Sequence, residues 1–446
     1  MRLNPIGFVF RAIPEMWSVY SKAVAGLAIL MPAVALPLRS GSSVVFYLLV
    51  LASLAGLGWR RPSLAALRRS CREYGYVALA LMLPLAALLI TAWVRQSPYD
   101  AALEKSLRFA LTLPILWMLL QIPRDALRHV QWGLMAGALG GAAMVLWIMG
   151  WQSHDRDVLI STGAHYNAVS FANIVMLTGL SSFLTLGWQL TRYRRAEAVL
   201  KCLVGLIALD AVLISETRSS WMVLPFFVPI ALRLWSNVHI RLRWLVAVLL
   251  AAVLLTALLA WFEPTLHARI DQGANDIRAF FDGTNRDTSL GIRLQLWYAA
   301  LYAFAQYPVF GIGGTAEFSE LLHAMAAQNL VSPMVAADFG EPHNDYLAAL
   351  AGFGILGGLS IVLLYAVPGW LFWRRLGHGD RKVKVAAALG ALLCASFALY
   401  SLSEYMFRNM RMVPVYTVLM AIFLALSRPA PSSSSSAAAH TDSTDS

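Results

Sequence analysis

Charge is scarce in this chain. Asp, Glu, Lys and Arg make up 13% of its 446 residues, against 59% hydrophobic residues and a mean hydropathy of +0.63. A sequence so poor in charge cannot cover the surfaces of several soluble domains, so composition predicts a polytopic membrane protein. Cysteine is scarcer still: Cys71, Cys202 and Cys394 are the whole supply, and no disulfide framework or thiolate metal site is readable from them. The zinc pattern His-Glu-x-x-His is absent, and so is a Walker motif, so nucleotide hydrolysis is not expected to power the activity. The formal net charge of +11 could suit nucleic acid. The Lys and Arg residues fall between apolar runs, however, where membrane topology accounts for them, and no nucleic-acid partner is expected.

What is present is a series of apolar segments. Twelve approach the ~20 residues that a helix needs to cross a ~30 Å hydrocarbon core. They run from about 20 to 38, 43 to 59, 74 to 94, 106 to 122, 130 to 150, 166 to 188, 198 to 215, 219 to 236, 244 to 262, 346 to 373, 384 to 403 and 411 to 427. The expected fold is an all-α polytopic membrane protein of about 12 transmembrane helices with one large outer loop. Helices one to nine occupy 1–262, the loop 263–345, helices ten to twelve 346–428, and a disordered, serine-rich cytoplasmic tail 429–446. Ala33-Val34-Ala35 has the look of a signal-peptidase site, but the charged lead-in from Met1 to Lys22 is long for a signal peptide, so the run is read as a retained first helix.

Orientation follows from the basic residues. Connections on one side collect most of them, including Arg60, Arg61, Arg68, Arg69 and Arg72, then Arg192, Arg194, Arg195 and Lys201, then Arg374, Arg375, Arg381, Lys382 and Lys384. That side is cytoplasmic, which puts both termini inside and the loop outside. Within the loop, Asp271 to Phe281 is read as a short surface helix. From Leu290 to Tyr307 the spacing predicts a helix with Ile292, Leu296, Ala299, Ala300 and Ala303 on one face. Pro308 stops it, and Gly311, Gly313 and Gly314 make a turn.

The loop closes on Glu341-Pro342-His343-Asn344-Asp345-Tyr346-Leu347. A histidine at a membrane boundary can be neutral near pH 7 and accept a proton from a hydroxyl, as a general base does. The plainer reading is a helix start, with Asn344 or Asp345 as N-cap and His343 merely polar. Arg218 lies in the very short outer turn Ser215 to Ser220, where a guanidinium can bind phosphate oxygens through paired donors or simply pair with Glu216. Arg293 opens an Arg-x-x-x-Trp pattern with Trp297, and Glu404, Arg408 and Arg411 share the last outer turn. His154-Asp155-Arg156-Asp157 has a spacing that could hold a divalent metal, yet no second carboxylate cluster stands beside it, and a solvated loop is preferred.

Taken together, Arg293-x-x-x-Trp297, Tyr307-Pro308-Val309-Phe310-Gly311-Ile312-Gly313, Pro342-His343-Asn344-Asp345-Tyr346-Leu347 and Gly352-Phe353-Gly354-Ile355-Leu356-Gly357 resemble the O-antigen ligase and polymerase superfamily. The resemblance is close from Leu290 to Gly357 and loose elsewhere, and the architecture is similar to that of type C glycosyltransferases. It implies glycan transfer at the periplasmic face of the bacterial inner membrane, from an undecaprenyl diphosphate-linked O-antigen to a sugar hydroxyl of lipid A-core oligosaccharide. His343 would be the general base, while Arg218 and Arg293 would bind and neutralise the diphosphate. Glu404, Asn344 and Tyr346 would join the substrate site, with Glu404 orienting His343 or the acceptor. At least one of Arg39, Arg95, Arg156, Arg408 and Arg411 is expected to join the diphosphate. The resemblance implies no metal and no cofactor.

One long loop rather than two favours the ligase over an O-antigen polymerase, and the short tail favours it over a protein O-oligosaccharyltransferase. A reading of another class is a twelve-helix secondary transporter. Its ionisable residues would gather near mid-membrane, where Asp210 alone qualifies among the acidic residues.

Overall fold

The computed structural model describes residues 5–60, 63–96, 100–147, 168–215, 217–235, 264–408 and 410–429. Among the described residues there is no strand, and the chain is an all-α polytopic membrane protein. Apart from single turns, its helices are α1 Pro5–Val34, α2 Gly41–Trp59, α3 Leu64–Arg95, α4 Asp100–Leu119, α5 Val130–Trp147, α6 Ala168–Leu184, α7 Arg194–Ile214 and α8 Leu224–Trp235. There follow α9 Pro264–Phe281, α10 Ser289–Gln306, α11 Thr315–Ala327, α12 Pro333–Asp338, α13 Asp345–Arg375, α14 Arg381–Ser403 and α15 Met412–Leu426.

Seven of these described stretches are long and apolar enough to cross a bilayer: Met16–Val34, Gly41–Trp59, Leu64–Arg95, Arg124–Trp147, Val169–Gly187, Asp345–Arg375 and Arg381–Ser403. Ser219–Trp235 and Met412–Leu426 are shorter apolar helices, and α4 and α7 coincide with two more of the expected spans. The segment expected at 244–262 lies outside the described residues, as do His154 to Asp157 and the tail from residue 430.

Helix α15 is buried along its whole length. A helix that is hydrophobic all round belongs in an interior, and this one sits among α1, α2, α4 and α14. Close approach elsewhere depends on missing side chains. On α5, a Cβ at Gly133 would lie 2.0 Å from the Ile29 carbonyl oxygen, and one at Gly137 would lie 2.3 Å from that of Pro32. Small residues thus let α5 press its backbone against α1.

One lysine inside the bundle is paired on several sides. Lys201, counted among the basic residues of a cytoplasmic connection, is 1% exposed. Its ammonium bonds Glu197 at 2.8 Å and the carbonyls of Thr185 and Trp188 at 2.9 and 2.6 Å. Glu197 sits beside the connecting segment before α7 and accepts from the Thr191 backbone and hydroxyl and from Gln131. Burial opposes its ionisation, but the bonds from Lys201, Thr191 and Gln131 outweigh that and hold its carboxyl at about 2.

The polar segment after residue 263 is more helical than its composition suggests. Among the described residues helix α9 covers Pro264–Phe281, so it contains the short helix expected from Asp271 to Phe281. Helix α10 matches the expected segment: the Thr288 hydroxyl caps Gly291 N–H at 3.1 Å, and the helix ends at Gln306, before Tyr307-Pro308. Its Leu296, Ala299, Ala300 and Ala303 are buried in a separate cluster with Phe318 and Leu322 of α11 and Val335 of α12, and Ile292 packs at its edge.

Helix α13 is broken at Phe353 (φ −127°, ψ 16°) and Gly354 (φ 62°, ψ −154°). A break inside a membrane helix frees backbone groups that water cannot reach, and they need partners in the protein. The glycine turn supplies them: Ile312 and Gly313 N–H donate to the Ala351 and Gly352 carbonyls at 2.8 and 2.9 Å, and Ile355 N–H donates to Pro308 at 2.8 Å. The fit is backbone on backbone. A Cβ at Gly311 would stand 2.3 Å from Gly352. From α3, the Arg95 guanidinium donates to the Gly311 carbonyl and lies 4.3 Å from the Tyr307 ring centroid, while the Thr91 hydroxyl donates to Phe310 at 2.9 Å.

Two stability effects follow. Gly354→Ala asks an L side chain to adopt φ +62° and places its methyl 2.3 Å from the Val309 carbonyl oxygen, so it should cost at least ~1–3 kcal/mol. Thermal unfolding in detergent micelles should show a lower midpoint than wild type, whereas Gly26→Ala, with nothing within 4 Å, should not lower it. Because the folded carboxyl of Glu197 lies below its ordinary value of 4.5, its stabilisation is complete above about pH 4.5 and is lost as pH falls towards 2. The stability difference between wild type and Glu197→Gln should therefore shrink on acidification through that window, and a difference independent of pH would refute the assignment.

Candidate active site

The segment that leads into α13 meets the end of α14 residue by residue. His343 Nδ1 lies 3.3 Å from Glu404 Oε1. The Asn344 amide donates to the Leu402 carbonyl at 2.9 Å. Asp345 accepts from the Ser401 hydroxyl at 2.6 Å and from the Met406 and Phe407 backbone N–H groups at 3.0 and 3.2 Å. Three consecutive residues thus stitch the start of α13 to 401–407.

Each has a local reason to be there. Asn344 is the N-cap of α13: its side-chain oxygen accepts from Tyr346 and Leu347 N–H at 2.9 and 3.0 Å, filling two of the donors that a helix start leaves open. Tyr346 in turn donates its hydroxyl to the Ala398 carbonyl at 2.9 Å. The side chains of Asn344 and Tyr346, both expected at the substrate, are therefore bonded within the protein. The plain helix-start reading of Asn344 and the presence of His343 beside a carboxylate hold together.

His343 has φ +50°, a left-handed conformation that is uncommon for a residue with a side chain. Its side chain is 16% exposed, with the Phe339 ring edge-on at 5.6 Å, whereas the Glu404 side chain is 2% exposed. The carboxylate also accepts from Tyr405 N–H at 3.2 Å, so it is anchored on two sides. An Nδ1–H directed at this carboxylate fixes the tautomer and leaves the lone pair of Nε2, which has no hydrogen-bond partner among the described residues, able to take a proton.

The expected arginines divide. Arg218 opens the 3₁₀ turn Arg218–Val223, which is tied from below: the Ser220 hydroxyl donates to Asn173 Oδ1 at 2.7 Å, and Tyr400 donates to the Ser220 carbonyl at 3.2 Å. Asn173 is fully buried, and its amide reaches Met406 Sδ at 3.5 Å. Met406 begins the turn Met406–Arg408, so one buried asparagine joins the turns bearing Arg218 and Arg408. Arg293 is half-buried on α10, with no ion pair or hydrogen bond among the described residues. Arg95 is committed to the glycine turn, Arg411 is buried, and Arg156 lies outside the described residues. Among the described residues no group of three or more His, Cys, Asp and Glu side chains could hold a metal.

Sequence reasoning missed Asn173, Ser220 and the pinning role of Asp345. An asparagine in an apolar span was the available signal for the first, since a buried amide must find partners.

Residues 203–362 match a family model described as O-antigen ligase. The matched region contains Arg218, Arg293 and His343 and ends before Glu404. A Haemophilus influenzae protein described as uncharacterized is 25% identical over 237 residues, which is 53% of this chain and 57% of that protein. The chain thus spans a little over half the length of that relative.

Asp345→Asn replaces an oxygen that accepts hydrogen bonds with a group that donates them, and should destabilise the fold by about 1–3 kcal/mol. Thermal unfolding checks this; a midpoint equal to that of wild type would mean that the carboxylate does not hold the 404–408 turn.

Proposed function

From membership of the O-antigen ligase superfamily, which the match over residues 203–362 supports, we propose that the chain transfers a glycan from undecaprenyl diphosphate to a sugar hydroxyl of lipid A-core. The observation that carries this reading is the imidazole of His343 held 3.3 Å from the nearly inaccessible carboxylate of Glu404. The setting is the periplasmic face of a bacterial inner membrane, where a lipid diphosphate brings its own leaving group.

The acceptor hydroxyl attacks the anomeric carbon from the face opposite the diphosphate. The new carbon–oxygen bond forms as the bond to the diphosphate oxygen breaks, and that oxygen keeps the electron pair. Configuration inverts. The hydroxyl proton passes to Nε2 of His343, and Glu404 faces the imidazolium that results. Charge growing on the diphosphate calls for cations that stay protonated, and Arg218 and Arg293 supply them. Arg293, half-buried and without a described ion pair, is available for that role. Neither a metal nor a cofactor enters this scheme. The transporter alternative finds little support in Asp210, which lies on an exposed face of α7 rather than inside the bundle.

The test is transfer in vitro with purified protein, lipid-linked glycan, lipid A-core and EDTA. Wild type should form product. His343→Ala should lose roughly 10²- to 10⁴-fold in turnover, and Arg218→Ala roughly 10²- to 10³-fold. Elongation of the lipid-linked glycan with lipid A-core ignored would make the protein a polymerase, and loss of wild-type activity in EDTA would overturn the metal-free scheme.

A further inference from the structure

A cavity of about 470 Å³ lies between the outer end of α4, the glycine turn and the 404–410 turn. Its wall includes Pro342, the residue before His343, and Tyr405, the residue after Glu404, so the two chain segments that carry the imidazole–carboxylate pair pass along it, while neither side chain of the pair lines it. On α4, two adjacent residues face it. The Lys105 ammonium bonds the Tyr405 hydroxyl at 3.1 Å and has two further protons to donate. Ser106 is 7% exposed, and its hydroxyl has no hydrogen-bond partner among the described residues.

Across the cavity stand two carboxylates. Glu317 accepts from Gly314 N–H at 2.8 Å, and Glu341 is buried with a partner of its own. Phe353 and Tyr405 add aromatic faces to the lining. The donors on one side and the acceptors on the other match a ring that carries hydroxyls, each of which both donates and accepts. One cation against two carboxylates does not suit a phosphorylated or carboxylated sugar. The volume falls within the ~300–1,000 Å³ usual for small-molecule sites.

We infer that this cavity, with Lys105, Ser106 and Tyr405, binds an uncharged pyranose of the acceptor saccharide next to the hydroxyl that attacks. The inference rests on the transfer reading above and adds where the acceptor sits. Ala316, exposed at the rim, offers a way to close the cavity without disturbing its floor.

Two measurements test it. Saturation-transfer NMR of purified protein in micelles with methyl glucoside, galactoside and mannoside should show contact with at least one, reduced at least fivefold in Ala316→Trp and in Ser106→Val. In the transfer assay, Lys105→Met and Ala316→Trp should raise the acceptor KM at least tenfold and leave the donor KM unchanged. No contact with any pyranoside, contact that survives Ala316→Trp, or stronger contact by glucose 6-phosphate would overturn the site. A donor KM that rose with the acceptor KM would do the same. If wild type transfers nothing while pyranoside contact is present and is lost in the variants, the site stands and the transfer reading falls.

Discussion

The Asp345 carboxylate lies in the interior and accepts three hydrogen bonds, from the Ser401 hydroxyl and from the N–H groups of Met406 and Phe407. A buried carboxylate is tolerable only when donors surround it, so the chain on the far side is obliged to curl its backbone towards this one point. That curl carries Glu404 to His343 and starts the turn that ends at Arg408. The same tie continues inward, because Ser401 also bonds Tyr365 at 2.8 Å and Met406 meets Asn173. Positions far apart in sequence thus share one small set of bonds.

The fold was largely legible in the sequence, because membrane helices announce themselves by length and apolarity. Many expected starts and ends agree with the described helices within a few residues, as at Gly41–Trp59 and Arg381–Ser403, whereas α3 starts at Leu64, ten residues before the expected 74. What escaped is the way helices touch. No pattern in the sequence says that Gly311 must clear Gly352, because that contact joins two backbones and involves no side-chain chemistry. Lys201 likewise counted as one of the basic residues of a connection; its long stem lets the ammonium reach Glu197 and two carbonyls inside the bundle.

At the candidate site, the motif around His343 was readable as residue types in order, and Glu404 was named without a geometric reason. The structure supplies that reason through Asn344 and Asp345, whose bonds to 402–407 leave the neighbouring imidazole and carboxylate facing each other. Partners separated by some sixty residues of chain cannot be paired from spacing. The arginines show the opposite case. Arg95, Arg218 and Arg293 look alike in sequence, yet the first is spent on the Gly311 carbonyl and on a tyrosine ring.

The docking of the glycine turn into the break of α13 has a mechanical side. Three backbone hydrogen bonds join the turn to the helix that begins two residues after His343, and Arg95 ties the same turn to α3. The separate cluster formed by α10, α11 and α12 is therefore coupled through that turn to the helix that follows His343. The imidazole thus takes its position from two directions at once, from α14 through Asn344 and Asp345 and from the polar segment through the glycine turn.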